Sequence, residues 1–264
     1  MATTFQIVVA GYEREYARQA AAAAFRELDR LESELSRYVE SSDIARANRM
    51  AVGETITIGD DALQCLLLAA SLASATGQAF DAAYASLREG PEQAGSLAFT
   101  VDPATHTLTS HVVRLHLDMG AIGKGYALDR LAETLRDWNV TSACLQSGGS
   151  TALALDAPPD TAGWTVGIGE DDSYRTLPLR HAALSGSGIE VKGDHLIDPS
   201  TGAPSRRGQR TWALAPTAAV SDALSTAFFV FDDQEIAAFC AAHPEIGGAY
   251  INAEQKLIAH GTLK

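Results

Sequence analysis

The stretch that most constrains this chain is Asp118–Asp129, which reads D-M-G-A-I-G-K-G-Y-A-L-D. An apolar run with strand character, Val112–Leu117, precedes it. A segment with helical periodicity, Tyr126–Trp138, follows. A strand, a glycine-rich turn and a helix start in that order can hold phosphate. Glycines let the backbone approach closely, the first helical N–H groups point outward, and a lysine adds mobile positive charge. The stretch is not a P-loop, because Asp118 stands five before Gly123 and Gly125 follows Lys124 where Ser or Thr is required. It does not fit G-x-G-x-x-G either. The alternative is a plain βα corner whose glycines serve only the turn.

Around this stretch the pattern is neither strictly alternating nor segregated, which points to an α+β fold with mixed sheets in one domain spanning 1–264. Phe5–Val9 reads as a strand and Glu13–Arg37 as a helix, with Phe25, Leu28, Leu31 and Leu35 at helical spacing. Asp60–Ala75 is a second helix. Leu97–Val101 and Thr107–Thr109 are strands ahead of Val112–Leu117, and Ala143–Leu145 is a strand entering Ser147-Gly148-Gly149-Ser150. Beyond these, Thr151–Leu155, Trp164–Ile168 and Leu177–Leu184 read as strands, and Ser185–Gly188 as a turn. Thr211–Ala215 is a strand, Ser221 caps a helix to Val230, Gln234–Ala242 is another, and Ala249–Asn252 with Leu257–Ala259 closes as a hairpin.

Charge narrows the class of partner. Acidic residues outnumber basic ones 33 to 20, a formal net charge of −13. That argues against general binding to nucleic acid or an anionic membrane surface, which need positive potential. A polyanionic ligand would need local help from a metal or a helix N-terminus. Cys65, Cys144 and Cys240 each lie in apolar runs and read as buried free thiols. No stretch has membrane-spanning length, and no leader precedes Phe5. The expectation is a cytoplasmic protein as the chain stands, or a periplasmic one where a leader has been removed.

Three segments carry candidate chemistry. In Ser221-Asp222-Ala223-Leu224-Ser225-Thr226, Asp222 and Thr226 are four apart and share one helix face. A carboxylate and a hydroxyl so placed are hard oxygen ligands of the kind Mg²⁺ takes; the alternative is a first-turn acid beside a back-bonded Thr. In Gly193–Gly202, His195 is a candidate general base, and Asp198 either orients it or opens the turn. Ser147–Ser150 offers backbone N–H groups, or is only a tight corner. No serine sits in G-x-S-x-G.

The order of these segments is more specific than any one of them. It resembles that of the ApbE-type FAD:protein FMN transferases over nearly the whole chain. The likeness is carried by Met1–Phe5, Leu35-Ser36-Arg37-Tyr38 to Asn48, Phe80-Asp81, Asp118–Asp129, Gly148-Gly149, His195–Gly202 and Asp222–Thr226. The resemblance implies a two-lobed single domain with a central cofactor cleft, FAD as substrate and Mg²⁺ as cofactor. It implies metal ligation by the Ala121 carbonyl, Asp222 and Thr226, and a base at His195. Cofactor contacts would fall to Tyr38, Phe80, Asp81, Lys124, Gly148, Gly149 and Asp198; core packing is the other reading of Phe80. The reaction implied is transfer of FMN to a Ser or Thr hydroxyl of an acceptor protein with release of AMP. Hydrolysis of FAD to FMN and AMP, or FAD binding without turnover, are the alternatives. The chain departs from the family pattern at Ser150, at Ala82-Ala83 and at Ser187-Gly188-Ile189.

Overall fold

The structure is a computed structural model that describes residues 3–86, 97–188 and 210–264. Its frame is a seven-stranded sheet with the order β1 (Phe5–Val9), β5 (Ala143–Ser147), β6 (Thr151–Ala154), β9 (Ala182–Gly188), β10 (Arg210–Ala215), β11 (Gly247–Ile251), β12 (Leu257–Gly261). Every neighbouring pair is antiparallel. A three-stranded sheet pairs β2 (Thr55–Thr57) and β3 (Phe99–Asp102) with β4 (Thr107–Ser110), and β7 (Trp164–Ile168) pairs with β8 (Arg175–Leu179). The helices are α1 (Arg14–Leu35), α2 (Asp43–Ala47), α3 (Asp60–Ala75), α4 (Gly123–Asp137), α5 (Ala218–Val230) and α6 (Asp233–Ala242). The architecture is the expected α+β mixture.

Successive strand residues face opposite sides, so the large sheet buries two different surfaces. Leu145, Leu153 and Ala183 belong to a core shared with α1, α3, α4 and α5. Their neighbours in sequence, Ala154 and Leu184, join Trp212, Ala249 and Ile251 on the other side, under Val166, Ile168 and Leu179 of the β7–β8 hairpin. On the helical side, α5 meets the sheet through Ser221, Leu224, Ser225 and Phe228, while Ala218, Ala219, Ala223 and Ala227 are buried in the core it shares with the other helices. Small side chains there let the helix backbones come close. Cys65, Cys144 and Cys240 are buried and free, as expected.

Five expectations need correction. Val112–Leu117 is not a strand. Its amides go elsewhere: His116 N–H donates to Ser86 Oγ (3.0 Å) and Leu117 N–H to Asn48 Oδ1 (2.6 Å), and Asp118 N–H donates to the Ala82 carbonyl (2.9 Å). The helix after it begins at Gly123, following a 3₁₀ turn over Met119–Ala121, so Lys124 and Gly125 lie in its first turn. Leu177–Leu184 is broken at Arg180-His181 into two strands of different sheets, and Ser185–Gly188 is the second half of β9. Lastly, Thr217 caps α5, accepting from Val220 N–H, while Ser221 lies within the helix and donates to the Ala213 carbonyl at 2.7 Å. His195 and Asp198 lie outside the described residues.

Candidate functional site

Asp222 is the fifth residue of α5, too far in for a first-turn acid, and it is buried. A buried carboxylate needs partners. Lys124 Nζ donates to both of its oxygens, at 3.0 and 3.2 Å. Gly125 N–H donates to Oδ2 at 3.2 Å, and Thr151 Oγ1 approaches Oδ1 at 3.4 Å. Gly125 is the third residue of α4, so its N–H has no partner within its own helix, and Asp222 supplies one from α5. Close approach of the two helices requires glycine there. A Cβ at Gly125 would fall 2.1 Å from the Ala218 carbonyl oxygen.

The Lys124 ammonium also donates to the Gly120 carbonyl at 2.7 Å. Gly120 lies in the 3₁₀ turn that Asp118 caps by accepting Gly120 N–H at 2.9 Å. The lysine therefore bridges a buried carboxylate and a backbone carbonyl across two helices. Ala121 is one residue beyond that carbonyl. One turn along α5 from Asp222, Ser187 Oγ lies 2.9 Å from Ser225 Oγ and 3.5 Å from Thr226 Oγ1. Beneath them the register aligns Ser147, Thr151 and Ser185 across β5, β6 and β9. The Ser147 and Ser185 hydroxyls are fully buried and have no hydrogen-bond partner among the described residues.

The donor set around Asp222 is thus one carboxylate, several hydroxyls and a carbonyl. Those are hard oxygen ligands, and a cation, the lysine ammonium, already stands among them. The chemistry fits Mg²⁺. Among the described residues, no group of three His, Cys, Asp or Glu side chains converges.

The other candidates fall in different surroundings. Tyr38 is 78% exposed, its hydroxyl accepts from Arg37 at 2.7 Å, and the Arg37 guanidinium lies over its ring, 4.9 Å from the centroid. The same arginine pairs with Asp118 at 3.3 Å, which ties Tyr38 to the start of the glycine stretch. Phe80 is a core residue, 2% exposed, the second of its two readings. Asp81 accepts Ala83 N–H at 2.7 Å. Gly148 and Gly149 turn β5 into β6 with φ of +59° and +69°. A shallow polar depression is lined by Thr3, Thr4, Gln6, Gln146 and these two glycines. Gln146 faces the side of the sheet opposite Ser147, so this depression is separate from the Lys124–Asp222 cluster.

Sequence reasoning brought Lys124, Asp222 and Thr226 together but missed Gly120, Thr151, Ser185 and Arg37. Arg37 had a signal, a cation beside an exposed aromatic. The serine row had none, because it exists only once non-consecutive strands are in register.

A model described as "ApbE family" matches residues 1–250 of the chain. A curated relative from Treponema pallidum, named FAD:protein FMN transferase, is 28% identical over 177 residues, covering 59% of this chain and 49% of that protein. The chain spans about half the length of the curated relatives it matches. Two solved structures share the fold: the flavin transferase ApbE of Vibrio cholerae, with a TM-score of 0.81 at 18% identity, covering 99% of this chain and 94% of that one, and the ApbE protein of Thermotoga maritima, with a TM-score of 0.81 at 22% identity, covering 98% and 94%.

Proposed function

Because the chain belongs to the ApbE family, we propose that it is a magnesium-dependent FAD:protein FMN transferase. The observation that carries this reading is the Lys124 ammonium bridging buried Asp222 and the Gly120 carbonyl at the start of a helix. Mg²⁺ would be held by Asp222, Thr226 and the Ala121 carbonyl, and its chemistry there is to neutralise the diphosphate and stabilise the departing AMP.

The chain's own residues do the rest. Lys124, displaced from Asp222, supplies charge to the diphosphate. The first turn of α4 presents its dipole toward the same anion. The exposed Tyr38 ring, backed by Arg37, is a platform for a flat ring of the dinucleotide. An acceptor Ser or Thr oxygen forms a new bond to the phosphorus nearer riboflavin, and the diphosphate anhydride bond breaks. The hydroxyl proton passes to His195, the base that the family motif assigns, and AMP carries away the bridging oxygen.

The test is product analysis with FAD and Mg²⁺, with and without a flavin-accepting protein. Covalent flavin on the acceptor together with AMP is expected. Free FMN and AMP irrespective of acceptor would make the protein a diphosphatase, and unchanged bound FAD would make it a flavin binder.

A further inference from the structure

One carboxylate of the opening stretch has no part in the proposed chemistry. Asp129 sits on α4, five residues after Lys124, and is partly buried. Its two oxygens accept the N–H groups of Ala218 (2.8 Å) and Ala219 (2.9 Å), the first two residues of α5. These are donors that a helix start leaves without internal partners. The two helices therefore cap one another. Asp222 of α5 takes an orphan N–H of α4, and Asp129 of α4 takes two orphan N–H groups of α5. The pairings of Gly125 with Asp222 and of Asp129 with Ala218 run in opposite directions along the two chains, so the helices are antiparallel and locked at two points.

We propose that Asp129 is a positioning residue, which holds α5 in the axial register that puts the Asp222 carboxylate against Gly125 and Lys124. A helix advances about 1.5 Å per residue, so a slide of one residue would carry the Gly125–Asp222 contact out of hydrogen-bond range. Ser221 and Thr211 tie α5 to the sheet, through Ser221 to the Ala213 carbonyl and Thr211 to the Ser225 carbonyl, both at 2.7 Å. Among the described residues, Asp129 is the side chain that ties the first turn of α5 to α4. Gly125 adds steric contact at the same place, where Ala218 leaves no room for a side chain.

Keeping this acid charged has a cost. Burial raises its pKa to about 6, against the opposing pull of the Ala219 and Ala218 N–H groups, with Glu133 raising it further and Arg136 lowering it. A pKa raised by folding contributes stability that is present below the ordinary value of 3.8 and lost as pH rises through about 6. At pH 7.5 the charge is therefore retained at the expense of stability, which suits a geometric role.

Asp129→Asn separates that role from simple support of the fold. An amide keeps one acceptor but turns a donor toward one helix N–H, so one of the two locks is lost without loss of volume. The first readout is amide hydrogen exchange at pH 7.5, since Asp222 is the partner of Gly125 N–H. The second is Mn²⁺ affinity by electron paramagnetic resonance, without FAD, with Asp222→Asn as control. The expected result is faster exchange at Gly125, Ala218 and Ala219, a Tm equal to or above that of the parent, and Mn²⁺ affinity reduced about tenfold or more, the scale for losing a group that orients a ligand. Unchanged exchange at Gly125 overturns the proposal, as does a fall in Tm with exchange raised uniformly across the chain. The second readout rests on Asp222 being a metal ligand. Faster Gly125 exchange with Mn²⁺ affinity unchanged in both variants upholds the lock and removes the metal reading instead. Should Asp129→Asn fail to fold, Asp129→Glu, which keeps the charge but lengthens the arm, is measured in the same way.

Discussion

Asp61 and Asp222 are each 4% exposed, and both face α4, yet their surroundings differ in kind. Asp61 lies where α1, α3 and α4 meet. It accepts from Arg30 at 2.5 Å and from the Tyr126 hydroxyl at 2.7 Å, and Arg130 Nε lies 3.0 Å away. Arg30 also reaches Glu27 and Glu34. Asp222 has one lysine, one backbone N–H and a long hydroxyl contact, and the two serine hydroxyls in the strands beneath it have no partner among the described residues. Guanidinium groups fix geometry through a planar fork, whereas a lysine is a point charge on a flexible stem. Burial alone thus does not distinguish a structural carboxylate from one in the role proposed for Asp222. The exchangeability of its partners does.

If that contrast holds, the two acids fail in opposite ways. Asp222→Ala is expected to lower FMN transfer by at least about a hundredfold, because a metal's stabilisation of developing charge amounts to several kcal/mol. Its stability cost should stay below that of Asp61→Ala, because Lys124 keeps the Gly120 carbonyl as an acceptor. Steady-state turnover and urea denaturation on the same variant check both halves, and full turnover would remove Asp222 from the site.

Asp61→Ala should do the reverse. Leaving Arg30, Arg130 and Tyr126 around an empty position is expected to cost about 2–3 kcal/mol. That lies at or below the low end for a broken buried pair, because both arginines reach solvent. Turnover per folded molecule should remain near that of the parent. A protein that unfolds normally but turns over poorly would place Asp61 in the catalytic machinery.

Lys124→Met sharpens the notion of an exchangeable partner. Removing the ammonium takes one donor from each Asp222 oxygen and one from the Gly120 carbonyl. Mn²⁺ affinity measured without FAD is expected to rise at least about fivefold, a factor worth about 1 kcal/mol, while transfer activity falls. Weaker Mn²⁺ binding would mean that the lysine supports the cation site rather than competing for it.

The smallest effect is in pH. Burial pushes the Asp61 carboxyl up, but Arg30, Tyr126 and the charge of Arg130 outweigh it and hold the group below its ordinary value of 3.8. A lowered pKa gives stability that is present above the unfolded value and lost as pH falls through the folded one. The stability gap between the parent and Asp61→Ala should narrow below about pH 4. A constant gap across acid unfolding would show that packing, not charge, is what Asp61 contributes.

Much of this was legible in the sequence, and the failures share a cause. Helical spacing placed Asp222 and Thr226 on one helix, and the order of motifs gave the family. Ser185–Gly188 read as a turn because serine and glycine serve turns and tight packing equally; here they form a strand whose Ser187 meets Ser225 of α5 and whose Gly186 lies against the Trp212 ring on the other face. Val112–Leu117 read as a strand because apolar content does not reveal where amides find acceptors, and Asn48, Ser86 and Ala82 supply them from distant loops. The mutual capping by Asp129 and Asp222 was invisible because it depends on the pairing of helices far apart in the chain.

The place of β1 in the sheet has a consequence for biosynthesis. The strand leaves the ribosome well before its neighbour in the sheet, β5, and Phe5 pairs with Ser147. At about 5–20 residues per second, roughly 7 to 30 s separate the two during synthesis. For that interval β1 is an unpaired apolar segment of the sort that chaperones retain and aggregates recruit. The β5–β6 hairpin can form as soon as Thr151–Ala154 is made. Pairing of β1 with β5 thus becomes possible while β9–β12, the other half of the sheet, are still to be made.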